Sequence, residues 1–129
     1  MEEQTVLTTE KLEQVLTEYK DMLLAELPGQ IERIILFGSY ARGDARPESD
    51  VDVMVIVNWP QESSSKGFSP AYYTDPRWRK INDLAADLSL EHGFYISPTI
   101  LRVEQYNEWE PLVDRVKREG KELWPVNQT

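Results

Sequence analysis

Residues 36–57 read Leu36-Phe37-Gly38-Ser39-Tyr40-Ala41-Arg42-Gly43-Asp44-Ala45-Arg46, then Pro47-Glu48-Ser49-Asp50-Val51-Asp52-Val53-Met54-Val55-Ile56-Val57. The stretch opens on the end of an Ile-rich apolar run, Ile31 to Phe37. It closes on a second run, Val51 to Val57, that is almost all Val and Ile. Runs of this length and composition, bounded by turn formers, read as buried strands. The polar segment between them holds Gly38, Gly43 and Pro47, which predicts a turn or a short helix followed by a loop. Gly38 allows close approach of the backbone, and the free amides at a helix start bind phosphate. Ser39 adds a hydroxyl donor. Arg42, three residues on, can face the same anion or pair with Asp44 or Glu48. Asp50-Val51-Asp52 then enters the second strand. Residues i and i+2 of a strand share a face, so the two carboxylates stand side by side, roughly 6–7 Å apart at Cα. Adjacent carboxylates repel unless a cation sits between them. Hard oxygen ligands in this number suit Mg²⁺, which takes one or two carboxylates together with substrate phosphates. A phosphate cradle facing a carboxylate pair is a layout for phosphoryl or nucleotidyl transfer.

The flanking sequence supplies the rest of an α+β domain. Thr8 or Thr9 caps a helix in which Leu12, Val15, Leu16, Tyr19, Met22, Leu23 and Leu27 recur at spacings of three and four. Pro28-Gly29 ends it. Residues 58–74 carry Trp59-Pro60, a Ser63-Ser64-Ser65 run and Pro70 without periodicity, and predict a long mobile loop. Trp59, Tyr72 and Tyr73 lie on or beside it; ordinary packing is favoured over contact with a base or a partner. Asp75-Pro76 is a cap followed by proline at the first helical position. Trp78, Ile81, Leu84, Ala85 and Leu88 give the next helix its apolar stripe, up to His92-Gly93. His92 there suits the negative end of the helix dipole. Phe94 to Val103 reads as a third strand, and Pro98 within it predicts an edge or a bulge. Pro111 opens a last helix containing Leu112, Val113 and Val116, with Gly120 as its stop. Trp78, Trp109 and Trp124 read as core or partner-facing. The expected order is α-β-(α)-β-loop-α-β-α in a single domain over 1–129, a small sheet layered with helices.

Composition narrows the chemistry. The chain has 129 residues, 14 Lys and Arg against 23 Asp and Glu, a net charge of −9, one His and no Cys. Without Cys there are no disulfides, thiol nucleophiles or Cys-based metal sites. One His rules out a multi-His metal site within one chain. The acidic balance argues against direct nucleic-acid binding and against docking on anionic membranes. No leader-like or membrane-length apolar run is visible, so a cytoplasmic location is expected.

The pattern Gly38-Ser39, Arg42, Gly43, Ala45-Arg46, Ser49-Asp50-Val51-Asp52 entering an apolar strand resembles the polymerase β-like nucleotidyltransferase superfamily. It is most similar to the minimal nucleotidyltransferases of prokaryotes, chains of about this size. The resemblance implies their fold, a small mixed sheet flanked by helices. It implies ATP as substrate and Mg²⁺ as cofactor, with Gly38, Ser39 and Arg42 as nucleotide-binding residues. Asp50 and Asp52 would be the catalytic, metal-binding residues. Many minimal members are antitoxins that place AMP on a tyrosine of a HEPN-type RNase toxin. A hetero-oligomer with such a toxin is therefore expected, and an acidic surface suits a basic partner.

One position departs from the superfamily. Aligned on Gly93 and Ile96, the third carboxylate on the strand after the second long helix falls at Ser97. A serine does not abstract a proton at neutral pH, and Pro98 beside it is expected to distort the strand. Glu91 and Glu104 flank this strand as weak substitutes. Three outcomes follow: turnover on two carboxylates, a base supplied by the partner, or an antitoxin that neutralises by binding alone. A transferase acting on a small molecule, similar to the aminoglycoside enzymes, ranks lower, because the chain has no spare length for an acceptor-binding domain.

Overall fold

The computed structural model of the chain describes residues 6–60, 75–108 and 110–125. The expected loop over 58–74 therefore lies largely outside the described residues, as do Tyr72, Tyr73 and Trp109. Along the chain come α1 (Thr9–Glu26), β1 (Ile31–Phe37), α2 (Ser39–Arg42) and β2 (Val51–Val57). They are followed by α3 (Pro76–His92), β3 (Ile96–Arg102), α4 (Val103–Glu108), α5 (Glu110–Glu119) and β4 (Lys121–Trp124).

Capping chemistry fixes the long helices. The Thr8 side chain accepts from the Lys11 amide at 3.1 Å, and Glu10 lies in the first turn, where the dipole favours negative charge. Asp75 accepts from the Arg77 amide at 2.8 Å, with Pro76 at the first position of α3. Gly93, at φ 76°, ends α3 in the left-handed conformation. The two helices run antiparallel. Lys11 meets His92 at 2.9 Å, while Lys80 meets Glu26 at 3.7 Å at the other end. Midway, the buried Tyr19 hydroxyl donates to the Ile81 carbonyl at 2.9 Å, and burial pushes its phenol well above the ordinary tyrosine range.

The four strands are ordered β3-β2-β1-β4, with β1 antiparallel to both β2 and β4, and β2 parallel to β3. The sheet is mixed, as the superfamily resemblance implied. Strand alternation sorts the core into two halves. Ile34, Leu36, Val51, Val53, Val55, Val57 and Ile96 pack with α1 and α3. Ile35, Met54, Ile56 and Leu101 pack with Tyr106 of α4 and Val113 and Val116 of α5. Each aliphatic side chain so buried contributes about 1.5–3 kcal/mol.

The third strand begins at Ile96 rather than Phe94, because Gly93, Phe94 and Tyr95 make the turn out of α3. It is an edge strand, as Pro98 suggested, but the proline does not distort it: the register with β2 runs evenly from Val51↔Ile96 to Val57↔Arg102. The flanking amides explain why. Ile96 donates its N–H to Ser89 Oγ at 2.9 Å and Arg102 donates to Gln105 Oε1 at 2.9 Å. Even-numbered amides of β3 thus face away from β2, and Pro98 shares their alternation. The missing N–H belongs to the outer edge and removes no ladder bond.

Candidate active site

The site forms where β1 ends and β2 begins. Strand β1 stops at Phe37, opposite Asp52. Gly38 follows at φ 78° and ψ −158°, as the N-cap of the single-turn helix α2. Few side chains tolerate this backbone. There is also no space for one: a Cβ built on Gly38 would overlap Asp52 Oδ2 and lie 3.1 Å from its Cγ. The carboxylate of Asp52 therefore packs into the room that the glycine leaves. Gly38 accepts the amides of Ala41 and Arg42 at 3.1 and 3.0 Å, which sets the turn. The amides of Ser39 and Tyr40 precede the first of these bonds, so they are the donors the turn can offer to a ligand. Ser39 is partly exposed, while Tyr40 and Ala41 are buried beneath it.

Asp52 is half-buried and Asp50 is exposed. Burial pushes the Asp52 carboxyl above its ordinary range, the neighbouring Asp50 charge adds to this, and the Arg42 guanidinium opposes it. Both aspartates share the strand face of Met54 and Ile56, on the side of α4 and α5. In the parallel register Asp52 lies beside Ser97. The residue next to the metal-binding candidate on the neighbouring strand is thus a hydroxyl, at the position the sequence pattern assigned to it. One step earlier, Val51 donates its N–H to the Tyr95 carbonyl at 2.8 Å. Tyr95 precedes β3 on the alternation of Ser97, with its ring exposed.

Neither glutamate replaces the third carboxylate. Glu104 follows the far end of β3, where Arg102 approaches it at 3.9 Å. Five residue steps of strand separate Ser97 from Arg102, roughly 17 Å. Glu91 sits in the last turn of α3, where its carboxylate groups with Glu18 and His92, ligand atoms within 4.8 Å of one another. Such a trio can hold a cation in principle. Here the Lys11 ammonium lies 2.9 Å from His92 Nδ1 and Glu18 lies 3.2 Å from Nε2, so both ring nitrogens are engaged by neighbouring side chains. The cluster acts as a polar staple between α1 and α3, in the layer opposite Asp52. His92 therefore does more than favour the helix end.

Arg42 is exposed and held by two carboxylates. Its Nε donates to Asp44 Oδ2 at 3.2 Å and its Nη1 to Glu119 Oε2 at 3.4 Å. The Asp44 pair is one of the two roles open to it from sequence. The Glu119 pair has no such signal: it lies 77 residues away at the end of α5, and only the fold brings it there. Trp59 is buried, with its indole N–H donating to Gln30 Oε1 at 3.0 Å and Arg77 stacked over its ring at 4.4 Å. It is a packing residue.

The mixed sheet thus carries a glycine-serine turn packed against an Asp-x-Asp strand. The family model described as "Nucleotidyltransferase domain" matches residues 12–122, and the chain belongs to that family. It is 32% identical over 110 residues to "Putative protein adenylyltransferase MJ0141" of Methanocaldococcus jannaschii, covering 85% of this chain and 96% of the relative. It is also 42% identical over 50 residues to "Protein adenylyltransferase MntA" of Thermococcus cleftensis, covering 39% and 48%. Among solved structures, a mutant MntA–HpeT toxin–antitoxin crystal structure aligns with TM-score 0.51 at 19% identity, over 88% of this chain and 75% of that one. A nucleotidyltransferase structure from Sulfolobus solfataricus aligns with TM-score 0.50 at 14% identity, over 86% and 78%. These two likenesses establish the fold. The chain is an enzyme of nucleotidyl transfer, and no helix among the described residues is long and apolar enough to cross a membrane.

Proposed function

We propose that this protein transfers AMP from ATP to a tyrosine hydroxyl of a HEPN-type RNase toxin, and so acts as a cytoplasmic antitoxin in a hetero-oligomer with it. The observation that carries this reading is the packing of the Asp52 carboxylate into the space left by Gly38. It sets the Gly38-Ser39 turn against Asp52, which supports reading the turn as a phosphate cradle beside a metal-binding carboxylate. The relatives named protein adenylyltransferases supply the acceptor class.

The residues fit Mg²⁺. Asp50 and Asp52 offer hard oxygen donors, Ser97 adds a third oxygen beside them, and a cation would offset the burial and the Asp50 charge that together raise the Asp52 carboxyl. When bound, the ion would offset charge on the phosphates and on departing pyrophosphate. Gly38 would let the phosphates approach the backbone, and Ser39 would donate its hydroxyl to them. Asp50 and Asp52 would orient the reacting phosphate through the cation they hold. Ser97 does not take a proton at neutral pH, so the acceptor's proton would pass to water or to a base of the partner.

The test is to incubate the protein with ATP, Mg²⁺ and the helical protein encoded in the adjacent reading frame. The expected result is a gain of AMP on a toxin tyrosine, read by mass spectrometry. An unmodified toxin in an intact complex would overturn the transferase reading. The position of Ser97 beside Asp52 favours one alternative, neutralisation by binding alone. Replacing Asp50 and Asp52 together by Ala abolishes neutralisation if transfer is required and leaves it intact if binding suffices.

A further inference from the structure

Arg42 closes the single-turn helix that Gly38 opens, its amide bonded to the Gly38 carbonyl at 3.0 Å, which sets it one turn beyond Ser39 on the turn that packs against Asp52. Two carboxylates already occupy it, Asp44 at 3.2 Å and Glu119 at 3.4 Å. Arg42 can offer its guanidinium to a phosphate only when at least one of these two partners lets go. Asp44 is two residues from Arg42 on the same turn, and its contact to Nε is the shorter of the two. Glu119 is different. Its contact is a longer, single-point one, to an Nη nitrogen that a phosphate can take, and its side chain is 33% exposed. A phosphate oxygen pair suits the guanidinium fork better than one carboxylate oxygen does.

The backbone at this point is closely packed. A Cβ built on Gly120 would meet the Val116 carbonyl, and would lie 2.7 Å from Ile35 Cγ2. The end of α5 is therefore wedged against β1, and Glu119 can leave Arg42 only by swinging its side chain into solvent. We propose that Glu119 is an internal stand-in for the nucleotide phosphate on Arg42, a competitor that ATP must displace and that sets its affinity. This rests on the nucleotide-binding reading given above and adds a residue of α5 to it.

The test compares ATP affinity, by calorimetry, for the wild-type protein, Glu119→Gln and Asp114→Asn, with Mg²⁺ and with chelator. Asp114 pairs with Arg118 at 3.1 Å on the same helix, so its variant changes net charge equally without touching Arg42. Glu119→Gln should bind ATP about two- to fivefold more tightly, the range for release of one exposed ion pair. The gain should be larger with chelator than with Mg²⁺, and Asp114→Asn should match wild type. Affinity that is equal or weaker in Glu119→Gln overturns the inference, and so does an equal gain in Asp114→Asn. Those outcomes leave the nucleotide-binding reading standing. Absence of ATP binding in every protein with Mg²⁺ overturns that reading and this inference with it.

Discussion

Gly38 and Asp52 share one volume, and each constrains the other. Alanine at position 38 would need a left-handed backbone and would push its methyl into the Asp52 carboxylate. Gly38→Ala should cost about 1–3 kcal/mol from backbone strain alone and displace Asp52 as well. Thermal unfolding and ATP titration should both register it; a variant with wild-type stability and affinity would refute the packing argument. Asp52 carries the reverse tension, since its charged form is penalised by burial and by Asp50. Without divalent cation, Asp52→Asn should therefore unfold at a higher temperature than wild type. Adding Mg²⁺ should raise the unfolding temperature of the wild type and leave the variant unmoved. The Asp-x-Asp pair, the Gly-Ser turn and the place of Ser97 are legible in the sequence, because all depend on short spacings or on the two-residue repeat of a strand. The Glu119 partner of Arg42 is not legible there. No local pattern marks a glutamate at the end of one helix for a guanidinium 77 residues earlier.

At the scale of elements, caps and apolar spacing are enough to mark α1, β1, β2 and α3, because each carries its own stop and start chemistry. Helix α3 shows how local that chemistry is. Asp75 caps the helix through the Arg77 amide and also pairs with the Arg77 guanidinium. The hydrogen bond from Arg77 holds the Asp75 carboxyl below its ordinary value of 3.8. A carboxyl lowered in the folded state contributes stability above its unfolded pKa and loses it as pH falls through the folded one. Asp75→Asn keeps an amide oxygen for the cap and loses the charge. Wild type should therefore be the more stable of the two near neutrality, and the gap should close as pH drops below 3.8. Denaturant melts at several pH values would show this, and a gap independent of pH would contradict it. The last third of the chain is less legible. Val103 begins α4 instead of closing β3, because Gln105 turns back to the outer amide of Arg102 and ends the strand there. Residues 121–124 carry no visible strand pattern, since two charges and two apolar residues fit a tail as well.

In the whole molecule those four residues matter more than their length suggests. Strand β4 pairs with β1 through Leu36↔Lys121, Ile35↔Glu122 and Ile34↔Trp124. It is a strand because β1 offers it partners, an effect of the assembled sheet that local propensity does not carry. The same sheet holds the site together, since the residue after β1 is Gly38. Taken away, β4 would leave the most apolar strand run but one with a bare row of amides and carbonyls. Such an edge recruits other chains, whereas the exposed Lys121 and Glu122 discourage further pairing. A chain ended after Gly120 should thus purify as soluble aggregate where the full chain elutes as discrete species by size-exclusion chromatography. For anyone expressing this enzyme, that result would make β4 a solubility element, a use that four residues resembling a tail do not advertise.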